Sequence, residues 1–123
     1  MAITTPDLKV FCSQWLQAWS GNQPEKLLGF YSDTAFYRDP GKPEGITGKE
    51  ALKRYFTKLL AANPNWKWTA VEIIPTEKGF TLKWKAEIPT SKGVLIEHGL
   101  DIVEIHHKLI TRNEVYFDLS RLI

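Results

Sequence analysis

The stretch Phe36-Tyr37-Arg38-Asp39-Pro40-Gly41 separates two kinds of pattern in this chain, and a Gly-rich connection leads from it to Thr47-Gly48-Lys49-Glu50. Before it, apolar side chains recur at helical spacing; after one further helix, nearly everything alternates with a period of two. Asp39 therefore ends a short apolar strand where Pro40 makes the chain turn. An acid in that place is either a turn former, for which Asp before Pro is well suited, or a carboxylate at the wall of a pocket.

Upstream, Thr5-Pro6-Asp7 reads as a helix start, with a capping hydroxyl, a proline in the first turn and an acid at the positive end of the helix dipole. Leu8, Phe11, Cys12, Trp15, Leu16 and Trp19 follow at spacings of three and four, which predicts an amphipathic helix over about 6–20. Ser20-Gly21-Asn22 ends it. Pro24-Glu25 opens a second, shorter helix to about 31, carrying Leu27, Leu28, Phe30 and Tyr31, so the two form a hairpin. Ser32-Asp33-Thr34 then turns the chain into a strand from Ala35 to Arg38.

Downstream, residues 39–45 hold too many prolines and glycines for regular structure. Thr47 and Glu50 have the spacing of a capping box ahead of a third helix, about 48–62, with Ala51, Leu52, Tyr55, Phe56, Leu59 and Leu60 on one stripe. Asn63-Pro64-Asn65 stops it. From Trp66 to Pro75 the alternation is strand-like, and Phe80, Leu82, Trp84, Ala86 and Ile88 form the cleanest half-buried strand. Val94–Ile105 and Leu109–Leu119 are two further β-rich runs, joined at His106-His107-Lys108. Three helices followed by meandering strands, with one early strand inserted, predict a single α+β domain with the helices on one face of the sheet.

Composition narrows the classes. A chain of 123 residues, 43% hydrophobic and 24% charged, has the balance of one core-forming domain. Its 16 basic and 14 acidic residues are dispersed, without the clustered basic footprint of a nucleic-acid binder. No apolar run approaches the ~18 residues of a membrane span, and no signal-like N-terminus is present, so a cytoplasmic protein away from membranes is expected. The single cysteine, Cys12, forms no internal disulfide and reads as helix packing.

Taken together, the helix hairpin, Ala35-Phe36-Tyr37-Arg38-Asp39-Pro40, Gly48 opening a helix that holds Tyr55-Phe56, and the ending Val115-Tyr116-Phe117-Asp118 resemble the SnoaL-like, nuclear transport factor 2-like superfamily. Ketosteroid isomerases and polyketide cyclases belong to it. The resemblance covers nearly the whole chain. It implies a cone-shaped fold in which three N-terminal helices pack on a curved, mostly antiparallel sheet around an apolar pocket, commonly in a homodimer formed through the sheet. Asp39 matches the proton-abstracting carboxylate of the isomerases, and Asp101 matches their second acid, the one held protonated in the oxyanion hole. Gln14 or Trp15 stands where those enzymes carry the oxyanion tyrosine; neither is a phenol, though both donate hydrogen bonds. Asp118 matches the acid near the final strand of the cyclases.

The candidate catalytic residues are therefore Asp39, Asp101 and Asp118. Gln14, Trp15, Trp19, Phe36, Tyr55, Trp84 and Tyr116 are the candidate ligand contacts; the five tryptophans, Trp66 and Trp68 among them, are candidates for the pocket wall, with most of them expected in the core. Desolvation in an apolar cavity disfavours a charged carboxyl and makes it a competent acid or base near neutrality. Strand parity places Glu97 on the same face as Asp101 and His98 on the other. His106 and His107 read as a solvated turn, and no metal-ligand spacing, nucleophile turn or phosphate-binding glycine pattern occurs, so no metal and no cofactor are expected. Two functions remain open: cofactor-free proton transfer on a small apolar carbonyl compound, as in an isomerase, cyclase or dehydratase, and non-catalytic binding or dimerisation around an apolar ligand or a protein partner.

Overall fold

The computed structural model describes residues 5–118. Helix α1 spans Thr5–Ala18 and α2 Pro24–Leu28; strands β1 (Tyr31–Asp39) and β2 (Lys42–Thr47) follow, then α3 (Lys49–Ala62). Strands β3 (Lys67–Pro75), β4 (Gly79–Thr90), β5 (Gly93–His106) and β6 (Leu109–Tyr116) complete the chain. One six-stranded sheet has the order β2-β1-β6-β5-β4-β3, antiparallel throughout except where β1 runs parallel to β6. The structure is thus α+β with a mostly antiparallel sheet and three helices, two of them long. No helix among the described residues is long and apolar enough to cross a membrane. Leu119, the expected end of the last β-rich run, lies outside the described residues.

The β4 alternation holds residue by residue: Phe80, Leu82, Trp84, Ala86 and Ile88 are all buried. They meet Trp15 and Leu16 of α1, Trp19 just beyond its end, and Leu52, Phe56 and Leu60 of α3 in one core. Burial of several aromatics at ~25 cal/mol per Å² of apolar surface is the dominant stabilising contribution. The end of α1 is tied to the start of β3, because the Ser20 hydroxyl donates to the Trp66 carbonyl at 2.6 Å and the Gly21 amide to that of Pro64 at 2.9 Å.

Three sequence expectations are corrected. The second helix stops at Leu28, and Tyr31 begins β1 instead of ending that helix, because the Ile110 amide donates to Phe30 O and draws this segment onto β6. The Pro- and Gly-rich stretch contains a strand, β2, which lies at the sheet edge, where Pro43 costs no ladder bond that a central strand would need. Thr47 and Glu50 do not form a capping box: Thr47 ends β2, and the helix N-cap is Gly48 at φ +97°, whose amide donates to Ala35 O. A hairpin, not a side chain, starts α3. Three helices are present, but α3 comes after two strands.

Candidate functional site

A cavity of about 260 Å³ opens between the inner face of the sheet and helices α1 and α3. Its wall is aromatic, with Trp19, Tyr37, Tyr55, Trp66, Trp68, Trp84 and Phe117, and it carries two carboxylates, Asp39 and Asp101. No basic side chain among the described residues lines it.

Asp39 closes β1 and is 7% exposed. Tyr37, two residues earlier on the same strand face, donates its hydroxyl to Asp39 Oδ2 at 2.7 Å, and Tyr55 of α3 donates to the same oxygen at 2.7 Å. Burial, and then the charge of Asp39 and the hydrogen bond to it, pushes both phenols upward, so they stay protonated donors. Oδ1 is buried and has no hydrogen-bond partner among the described residues. The carboxylate is thus anchored by one oxygen and keeps an unsatisfied acceptor at the other, which is what a base or a ligand acceptor needs.

Asp101 sits on β5 opposite Val115 of β6, and Asp39 lies one residue beyond the Arg38–Glu114 pair on the other side of that strand. Their backbones are therefore about two strand spacings, ~10 Å, apart. Asp101 Oδ1 accepts from the Trp84 indole at 2.7 Å and Oδ2 from the Asn113 amide at 2.9 Å. Burial raises its pKa to about 7; the Asn113 and Trp84 bonds oppose that shift, and the Asp39 charge adds to it.

Of the residues expected at the site, Asp39, Asp101, Trp19, Tyr55 and Trp84 meet at this cavity. Trp15 is fully buried in the core behind it, donating to Tyr31 instead of facing the cavity. Gln14 is exposed on α1, and Tyr116 is exposed on the outer sheet face, bonded to Glu114 and lying under the Arg38 guanidinium. Phe36 packs against Gly45 of β2. Asp118 is exposed beyond the end of β6. Glu97 shares the buried face with Asp101, as parity predicts. Cys12 is buried, and burial followed by the Asp101 charge pushes its thiol to about 12, which keeps it protonated.

Sequence reading missed Tyr37, Asn113 and Tyr31. The spacing Tyr37-x-Asp39 on a strand was a usable signal, since it puts both on one face. Asn113 offered none without the β5–β6 register.

The model of the SnoaL-like domain matches residues 13–113, which includes both cavity carboxylates and the helix and strands that hold them. The chain belongs to the SnoaL-like domain family. A ketosteroid isomerase-like protein of Catenulispora acidiphila, solved with trimethylamine, superposes on this SnoaL-like chain with a TM-score of 0.79 at 20% identity, over 95% of this chain and 89% of its own. A Mycobacterium tuberculosis protein does so at 0.78 and 20% identity over 96% of each chain. The same protein in complex with estradiol-17beta-hemisuccinate gives 0.72 at 19% identity, over 92% and 95%. At such identities the likeness is one of fold. No curated protein matches the sequence of this SnoaL-like domain.

Proposed function

We propose that this SnoaL-like domain is a cofactor-free proton-transfer enzyme acting on a small, largely apolar carbonyl compound. The observation that carries the reading is Asp39 Oδ1, a buried carboxylate oxygen without a hydrogen-bond partner among the described residues, in an acid that lines an aromatic cavity. Asp39 takes a proton from the carbon next to the substrate carbonyl. The C–H electron pair becomes the new C–C double bond, and the carbonyl oxygen gains the charge of an enolate. Asp101, neutral over much of the pH range below about 7, donates a hydrogen bond to that oxygen. Return of the proton to another carbon is isomerisation, attack of the enolate on a second carbonyl is cyclisation, and loss of a β-hydroxyl is dehydration. Base catalysis of this kind contributes about 10²–10⁴-fold, and an oxyanion donor about 10²–10³-fold.

The test is deuterium exchange into a model ketone such as 1-tetralone, followed by NMR. Asp39→Asn should slow exchange at least a hundredfold with the fold intact, and Asp101→Asn should slow it less. Exchange in Asp39→Asn equal to that of the unmodified protein rejects Asp39 as the base.

A second reading, binding without chemistry, is favoured by one observation: both Asp101 oxygens already accept protein hydrogen bonds. The complexes of the structural neighbours with trimethylamine and a steroid ester are compatible with either reading. A protein that binds apolar ligands but exchanges no ketone protons would fit only this one.

We also infer a homodimer through the outer sheet face. Ile96 and Tyr116 are exposed there, beside the ion pairs of Arg112 with Glu104 at 3.0 Å and Glu114 at 2.6 Å. Light scattering at micromolar concentration should give twice the 14.1 kDa chain mass; a single chain mass removes the dimer.

A further inference from the structure

Behind Asp101 runs a buried chain of hydrogen bonds that the proposed reaction does not itself use. The Trp15 indole donates to the Tyr31 hydroxyl oxygen at 3.4 Å, the Tyr31 hydroxyl donates to Asn113 Oδ1 at 2.7 Å, and the Asn113 amide nitrogen donates to Asp101 Oδ2 at 2.9 Å. Trp15, Tyr31 and Asn113 are all fully buried. The chain has a direction, because an indole nitrogen only donates, and the Tyr31 oxygen that receives it has one hydrogen to pass on.

That direction fixes the Asn113 amide. Turning it over would set its NH₂ against a Tyr31 oxygen that already accepts from Trp15, and would leave the Tyr31 hydrogen with no acceptor in a dry core. The turned amide would also point its carbonyl oxygen at Asp101 Oδ2, where it could take the Asp101 proton. With the amide locked, neither protein group on Asp101 can accept: Trp84 donates to Oδ1 and Asn113 to Oδ2.

We propose that Tyr31 and Asn113 are positioning residues whose hydrogen-bond chain presents two donors to Asp101, so that the proton of the neutral Asp101 carboxyl is left for a ligand acceptor in the cavity. The proposal rests on the reading of the cavity as a site for a carbonyl ligand, but the lock itself is a property of the protein alone. The ionisable groups facing Asp101 are Asp39 from β1, Cys12 from α1 and Tyr31, with Glu97 on its own strand face. Burial pushes Cys12 and Tyr31 upward, so neither supplies a charge there.

The experiment follows the Asp101 side-chain carboxyl by ¹³C NMR across pH, and 1-tetralone affinity by tryptophan fluorescence, in the wild type and in Tyr31→Phe. The phenylalanine keeps the ring beside Phe56 and deletes only the hydroxyl. Freed from Tyr31, the amide can turn and accept the Asp101 proton. The Asp101 titration should then move upward, and tetralone affinity near pH 5 should fall about tenfold, the scale of one lost hydrogen bond to a buried acid. An Asp101 titration and a tetralone affinity both unchanged in Tyr31→Phe overturn the lock. If that variant fails to fold, the wild type still decides: tetralone must bind more tightly near pH 5 than near pH 9, and an affinity independent of pH overturns the proposal. These readouts need no turnover, so they separate from the fate of Asp39, which is tested by exchange.

Discussion

Asp39 and Asp101 are the same residue type, buried at one cavity on either side of β6, yet their surroundings differ in how donors are distributed. Two phenols converge on a single oxygen of Asp39 and leave the other, itself buried, without a partner among the described residues. An indole and an amide spread over both oxygens of Asp101. The first arrangement offers a ligand a lone pair; the second, once the acid is neutral, offers only a proton. Acceptor and donor roles are thus separated by the placement of Tyr37, Tyr55, Trp84 and Asn113 and not by the acids themselves, in the way that paired carboxylates divide acid and base work when their environments differ.

The comparison is tested most strongly by stability against pH. Asp101 is raised from 3.8 to about 7 by burial, so the folded state holds a proton that the unfolded chain has lost between those values. Unfolding then releases a proton, and stability falls as pH rises through that window: the contribution is full below about pH 4 and gone above about pH 7. At ~1.4 kcal/mol per unit the span is on the order of 4 kcal/mol at most. Asp101→Asn cannot titrate, although its NH₂ strands one of the two donors that now face an oxygen. Urea unfolding should therefore show the stability of the wild type relative to Asp101→Asn declining by several kcal/mol between about pH 4 and pH 8. A constant difference would mean that Asp101 is ionised throughout, and its contrast with Asp39 would collapse.

The parts of this site that were legible in the sequence are those set by periodicity within one element, such as Tyr55 on the apolar stripe of α3, or by the resemblance, which supplied Asp39 and Asp101. Period two on β4 identifies Trp84 as inward, and on β5 it puts Glu97 and Asp101 on one face. The exposed position of Gln14 shows the limit of transferring roles by resemblance, and that of Tyr116 the limit of naming contacts from a motif. Tyr116 has the opposite parity to Asn113 and Val115, which are buried, so its outward direction was readable. The lock on Asp101 was not, because Tyr31 and Asn113 meet across a parallel β1–β6 pairing that no local pattern encodes. Strand β2 was missed for another reason: Pro43 and Gly45 act as breakers in a central strand but are tolerated at an edge.

Two glycines sharpen the comparison at smaller scale. Gly99 pairs with Trp84 in the β4–β5 ladder, and a Cβ there would run into the Trp84 six-membered ring and lie 2.7 Å from the Tyr116 carbonyl oxygen. Both are held, the ring by Asp101 and by its edge contact with Trp68, the carbonyl by the sheet. Gly99→Ala should cost about 3 kcal/mol in urea unfolding, at the upper end for overpacking, and should move the Trp84 indole proton resonance as its bond to Asp101 distorts. Gly41 is its counterpart at Asp39. A Cβ there would sit 3.4 Å from Asp39 Oδ1 and 3.7 Å from the Tyr55 hydroxyl, ordinary contact distances. Gly41→Ala should therefore change stability by about 0.5 kcal/mol or less, while a longer side chain, as in Gly41→Leu, crowds the unpartnered oxygen and should block ketone exchange without unfolding the protein. Equal stability losses at the two glycines would show that the Asp39 wall is as tightly packed as the Asp101 wall, and that it does not yield to admit a ligand group beside Oδ1.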